Sequence, residues 1–195
     1  MAQLFFSDEQ SFKEIEVDLW HEMAKSLAKS SHPFRYPSLA TQSEEGPQQR
    51  TVVLRSVKST AKELWFYTDG RSAKVQELAQ DERAAVHAFH PRKKLQLRFK
   101  GSVKVLKSGE KWQEAFDGIP KNRYFEYSTQ KAPGTGLDEV PEAYPSQPEQ
   151  AAQYFRLLIF KTDQLEALQL NANRHFRVLF SYSQKELRQA QWLQP

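Results

Sequence analysis

Three neighbouring stretches decide how this chain is read: Gln-Gln-Arg-Thr-Val-Val-Leu-Arg-Ser-Val (48–57), Leu-Trp-Phe-Tyr-Thr-Asp-Gly-Arg-Ser-Ala-Lys (64–74) and Leu-Gln-Leu-Arg-Phe-Lys-Gly (95–101). β-Branched and aromatic residues fit a pleated, half-buried surface, so the apolar runs predict strands. The first two runs end in basic or hydroxyl residues, and the second opens directly onto a helical pattern with Ser72 at its start. Arg50, Arg55, Thr68, Arg71, Ser72 and Lys74 can therefore converge on one phosphate-sized anion.

Outward from this centre the strand period continues. Residues 38–42, 50–58, 63–68, 84–90 and 95–106 are rich in Val, Leu, Phe, Trp and Tyr, with turn residues such as Glu-Glu-Gly-Pro (44–47) between them. A helix over 72–80, with Val75 and Leu78 facing inward, interrupts them. Toward the N-terminus Phe12, Ile15, Leu19, Met23 and Leu27 recur at helical spacing. They predict an amphipathic helix over 12–29, started by Ser7 or Ser11, stopped before Pro33, and sharing its packing face with Trp20. Residues 110–116 read as another short helix. Residues 131–150, with Pro141, Pro145 and Pro148, read as a long loop. Strand character returns at 154–161, 164–170, 176–182 and 188–193. Short strands joined by tight turns favour an antiparallel barrel over a doubly wound sheet. The expectation is one domain over 1–195, mainly β with flanking helices (α+β).

Composition agrees. With 39% hydrophobic and 12% aromatic residues in 195, the chain can bury a core. The net charge of +4 is spread rather than massed, which favours a solvated surface first, an anion pocket second and a nucleic-acid surface last. Arg98, Lys100 and Lys104 alternate on one strand face that could meet RNA, but such a face is usually just wet. The absence of cysteine excludes disulfides, thiolate metal sites and thiol catalysis. His21, His32, His87, His90 and His175 show no metal-ligand spacing, so no metal site is expected. No Walker loop, nucleophile elbow or Gly-x-Gly-x-x-Gly occurs. The N-terminus lacks the pattern of a signal peptide and no window approaches the ~20 apolar residues of a membrane helix. A cytoplasmic protein is expected.

A phosphate monoester carries nearly two negative charges and several acceptor oxygens. It calls for guanidinium forks, a lysine, hydroxyls and backbone amides at a helix N-terminus. The sequence Asp-Gly-Arg-Ser-Ala-Lys (69–74) offers all of these in one turn. Lys74 in the first helical turn opposes the helix dipole, a local cost that a bound anion offsets. Taken alone, the same pattern also describes a capped helix with exposed basic residues. Arg50 and Arg55, five apart, fall on opposite faces of a regular strand and should do different jobs unless a bulge intervenes. Gln96 alternates with the apolar Leu95, Leu97 and Phe99. By its residues alone it reads as a solvent-facing amide.

This combination resembles the pyridoxamine 5'-phosphate oxidase family, whose antiparallel split β-barrel binds FMN. The family's flavin-binding segments look like Arg-x-Val-Leu-Leu-Lys, Tyr-Thr, Ser-Arg-Lys and a Gln ahead of a Gly. Here Arg50, Thr51, Val52, Val53, Leu54 and Arg55 match the first, with Arg in the last place. Tyr67 and Thr68 match the second. Ser72, Ala73 and Lys74 match the third, with Arg71 beside Ala73 to supply the displaced charge. Gln96, five residues before Gly101, matches the last, and Arg177 resembles a C-terminal flavin-contacting Arg. The closing Trp-Leu-Gln-Pro is similar to the family's chain end. The resemblance implies a homodimer with FMN at the subunit interface, and Gln96 on the polar edge of the flavin ring.

The substrate side departs from the pattern. Tyr124 stands for the family's substrate Tyr, but Ser128 and Ala132 hold the places of an Arg and a Ser. The family's Arg-x-His becomes Arg174-His175, and Leu168 or Leu170 stands near the place of a Trp that covers the flavin. The resemblance leaves Arg55, Tyr124 and Arg174 for the substrate and assigns no catalytic residue. The reading is an FMN-dependent oxidoreductase whose substrate is not pyridoxamine phosphate. The alternatives are a flavin- or haem-binding protein without turnover and, more remotely, a basic RNA-binding barrel.

Overall fold

The computed structural model describes residues 4–140 and 147–195. Helix α1 (Phe12–Lys25) leads into strands β1 (Ser38–Ser43), β2 (Gly46–Thr51), β3 (Leu54–Lys58) and β4 (Glu63–Asp69). Helix α2 (Ala73–Gln80), β5 (Arg83–His90) and β6 (Leu95–Leu106) follow. Helix α3 (Glu110–Asp117), a 3-10 segment (Lys121–Tyr127) and α4 (Pro148–Tyr154) precede β7 (Phe155–Gln169), β8 (Phe176–Ser183) and β9 (Glu186–Leu193). No helix among the described residues is long and apolar enough to cross a membrane.

Every strand pairing is antiparallel, in the order β2-β1-β5-β6-β7-β4-β3, with β8 and β9 branching from β7. The branch arises because β7 is fifteen residues long. Its first half pairs with β4 and its second half with β8, while β6 runs along both. At the change-over Lys100 faces Gln164 but Gly101 faces Thr162, so Asp163 is the extra residue of a bulge. This is why 154–161 and 164–170, read as two strands, form one: a bulge bends a strand without ending it. Gly101 is required there, since a Cβ would lie 1.8 Å from the Lys161 carbonyl oxygen.

The expected strand 50–58 is in fact two. Strand β2 pairs with β1 at one edge of the order, and β3 pairs with β4 at the other. Only Val52 and Val53 join them. So short a link between opposite edges forces the sheet to curl until its ends approach, while they remain unpaired. That is a split, open barrel.

The sheet separates two cores. Leu64 and Phe66 of β4 enter the larger one with Leu19, Trp20, Phe99, Phe160 and Phe180. Trp65 points the other way, into a cluster with Trp112, Phe116, Tyr124, Tyr127 and Phe155. Strand β4, covered on both faces, therefore reads as a continuous apolar run. Helix α1 opens with a reciprocal cap between Ser11 and Glu14. It ends at Lys25, four residues short of the expected 29. The Ser26 hydroxyl bonds to Met23 O (2.7 Å), and Leu27 N–H bonds to Ala24 O, tightening the last turn to i→i+3 bonds. The expected loop 131–150 contains α4 in its last residues, and its positions 141–146 lie outside the described residues.

Candidate functional site

The site is built where β4 runs into α2. Gly70 donates its N–H to Tyr154 O (2.6 Å), and a Cβ there would meet the Arg156 guanidinium at 2.9 Å. Glycine thus lets the chain turn beneath α4. Ser72 occupies the N-cap position of α2, as expected, but does not cap it. Its hydroxyl donates to Asp69 O (2.7 Å), so the first turn of the helix has no side-chain cap. Uncapped N–H groups and the positive end of the helix dipole favour an anion.

Lys74 points into this turn. Its ammonium donates to Thr68 Oγ1 (3.0 Å), which lies 3.2 Å from Ser72 Oγ. Burial lowers the Lys74 pKa, and the Arg50 charge lowers it further, outweighing Glu77 and Asp69. An anion would relieve both effects. Arg50 itself reaches α2, where its Nη2 pairs with Glu77 Oε2 (2.7 Å) while Nη1 bonds to the Thr41 hydroxyl. Thr41 donates to the same Glu77 carboxylate. Arg50, Thr68, Ser72 and Lys74 thus come together, held from behind by Glu77 and Thr41, which the sequence reading missed. Glu77 follows Lys74 at i+3, a spacing that places both on one side of the helix.

Arg71 faces another way. It forms a two-point pair with Asp69 (3.0 and 2.7 Å), donates to Thr129 Oγ1 (3.1 Å) and stacks over Tyr154 at 3.7 Å. It ties the turn to the segment before α4. Arg55 and Arg50 have different partners, and the reason is visible in β3. Leu54 faces Phe66 while Ser56 faces Trp65, so Arg55 is a bulge residue. The bulge turns its guanidinium toward Tyr67 (5.5 Å) and Glu126 (3.6 Å). Thr51 is exposed, Val52 and Val53 are half-buried, and Leu54 is fully buried. Burial raises the Tyr67 pKa, so its phenol keeps its proton.

Gln96, Leu168 and Arg177 stand opposite one another across β6, β7 and β8, forming one row on the face away from the larger core. Arg177 is braced by Glu166 (2.9 Å), which Arg98 also contacts (3.2 Å). Tyr124 is buried and stacked on Phe116. Arg174 pairs with Asp8 (2.9 Å) and shares a pocket of about 490 Å³ with Arg177, Trp192 and the last residues, away from Arg55.

The fold also gathers Glu22, His32 and His90, which sequence spacing did not suggest. Both histidine Nδ1 atoms accept backbone N–H groups, from Phe34 and Lys93 (3.2 Å each). Glu22 is paired with Lys93 and Lys25. A cation would have to displace those ammonium groups, so this donor set suits a hydrogen-bonded network better than a metal.

Residues 17–107 match the family model for the pyridoxamine 5'-phosphate oxidase FMN-binding domain. Over that stretch the chain is similar to this FMN-binding domain. Solved structures share the fold of this family. A pyridoxamine 5'-phosphate oxidase-related, FMN-binding protein from Nostoc punctiforme has a TM-score of 0.74 at 23% identity, over 95% of this chain and 99% of that one. PhzG from Burkholderia lata, solved with tetrahydrophenazine-1-carboxylic acid, gives 0.69 at 16% identity, over 96% and 95%. A general stress protein 26-related protein from Clostridium acetobutylicum gives 0.51 at 13%, over 81% and 94%. No curated protein matches the chain. The oxidase-like stretch holds Arg50, Arg55, Tyr67, Thr68, Arg71, Ser72, Lys74 and Gln96, whereas Tyr124, Arg174 and Arg177 lie beyond it.

Proposed function

We propose that this chain is an FMN-dependent oxidoreductase, working as a homodimer on a substrate other than pyridoxamine 5'-phosphate. The observation that carries the FMN assignment is Lys74, a half-buried cation beside Arg50 at the uncapped start of α2. In this reading Arg50, Lys74, Thr68 and Ser72 hold the phosphate, and Arg71 steadies the turn. The row of Gln96, Leu168 and Arg177 offers an amide, an apolar contact and a cation to an isoalloxazine ring. FMN supplies the redox chemistry when bound, and the residues bind it, orient it and set the local charge.

Ser128 supports the substrate part. It is fully buried and donates to Tyr124 O (3.0 Å), so it serves the fold where the family pattern has an Arg. Steady-state assays of the FMN-loaded protein test both parts. Pyridoxamine and pyridoxine 5'-phosphates should be turned over far below ~10⁴ M⁻¹s⁻¹ in kcat/KM, while another small reduced substrate is oxidised. Turnover of the B6 phosphates above that level refutes the substrate reading. A colourless protein that takes up no FMN refutes the cofactor reading.

A further inference from the structure

Three parts of the chain meet at Glu22, His32 and His90: helix α1, its link to β1 and the end of β5. One nitrogen of each ring and one Glu22 oxygen lie within 4.8 Å of one another. The hydrogen bonds fix the tautomers. His32 caps the 3-10 turn Pro33–Arg35 by accepting Phe34 N–H at Nδ1, so its proton sits on Nε2 and is donated to Glu22 Oε1 (3.2 Å). His90 accepts Lys93 N–H at Nδ1 (3.2 Å) in the same way. A neutral imidazole has one acceptor nitrogen, and both are spent here on backbone amides. A proton on Nδ1 would set N–H against N–H. Each amide bond therefore exists only while its ring is neutral.

The surroundings of His90 oppose its charge. Burial, His32 and Lys93 lower its pKa, against Glu22. Burial works against the Glu22 charge too, but Lys93, His32 and Lys25 outweigh it and hold that carboxyl below its ordinary value. Glu22 is thus still an anion in the acid range where a histidine charges. Its Oε2 is buried, 3.7 Å from Lys25 Nζ, and has no hydrogen-bond partner among the described residues. An acceptor stands open beside the ring for a proton the neutral ring does not carry. The turn that His90 holds is itself strained, since Lys94 has a φ of 50°, in the left-handed region that non-glycine residues rarely adopt.

We propose that this cluster is an acid-released clasp: neutral His90 holds the β5–β6 turn, and protonated His90 drops the Lys93 amide, turns to Glu22 and frees it. Once released, the ring has the ordinary histidine pKa of ~6.5, above its lowered value in the clasp. The released form thus binds the proton more tightly, so the clasp is intact above about pH 6.5 and weakens as pH falls below it. The turn leads into Gln96 on β6. Gln169, next to Leu168 on β7, donates its amide to the Lys93 carbonyl (2.8 Å). Acid release therefore loosens the row of Gln96, Leu168 and Arg177. Only this last consequence rests on the FMN reading.

Amide hydrogen exchange of the full chain, corrected for the intrinsic pH dependence of exchange, reads the clasp without FMN. Protection of the Lys93 amide should fall by up to about tenfold per pH unit below ~6.5, the effect of one proton. His90→Asn keeps an acceptor oxygen where Nδ1 stood but cannot titrate, so its protection should stay flat. His21→Gln, exposed on α1, should keep the wild-type response. Nitrogen NMR of the wild-type protein adds a measurement that needs no variant: His90 Nδ1 should be bare at neutral pH. A proton on that atom at neutral pH overturns the proposal, as do equal pH responses in wild type and His90→Asn. FMN should leave the wild-type protein severalfold faster than His90→Asn at about pH 5.5, below the ordinary histidine pKa. Equal release rates overturn the link to the flavin row. A protein that takes up no FMN strikes the cofactor reading and leaves the exchange result standing.

Discussion

At the residue scale, the phosphate assignment stands on Arg50 and Lys74. A charge-assisted bond contributes about 1.5–3 kcal/mol, so Arg50→Ala should weaken FMN roughly tenfold or more. Riboflavin, lacking the phosphate, should bind much worse than FMN, and equal affinities measured by fluorescence quenching would remove the assignment. Lys74 adds a pH test. Burial and Arg50 lower its pKa, and a bound phosphate favours the ammonium form. FMN affinity should therefore fall as pH rises through that lowered value, before the ordinary lysine range near ~10.4 is reached. Lys74→Arg keeps its charge throughout and should flatten the profile. Superimposable profiles for the two proteins would show that Lys74 does not meet the phosphate.

At the element scale, bulges do the work that regular strands cannot. The one in β3 aims Arg55 away from Arg50, and the one in β7 lets a single strand serve two neighbours. The second depends on Gly101, whose absent side chain leaves room for the Lys161 carbonyl. Gly101→Ala forces backbone against backbone and should cost about 2–4 kcal/mol, read as a lower urea midpoint with an unchanged slope. An unaltered midpoint would mean that β6 and β7 can part there without loss. The period of the sequence showed most elements, and its errors lie at these irregularities. The run 50–58 looks like one strand because Val52 and Val53 are apolar, yet they form the link across the opening of the barrel.

At the scale of the whole molecule, the resemblance implies a dimer around the flavin, and the exposed side chains suit one. Phe89 (41% exposed) stands opposite Gln96 on β6, in the same row as Leu168 and Arg177, and Trp192 (39% exposed) lies on β9. Sedimentation of the FMN-loaded protein should give a homodimer, and a monomer at full FMN occupancy would contradict that. The sequence by itself determined the strand-rich class, the α1 and α2 helices and the basic turn at 69–74, because side-chain period and turn chemistry are local properties. It also carried the family likeness of 17–107. Only the tertiary structure decided that Arg50 leans on Glu77 and Thr41, that Arg71 turns to Asp69 and Tyr154, and that Arg35, Arg55 and Arg123 meet. Those contacts join residues distant in sequence, and their geometry follows from how far the sheet curls and where its strands bulge. Neither is written in any short window of the chain.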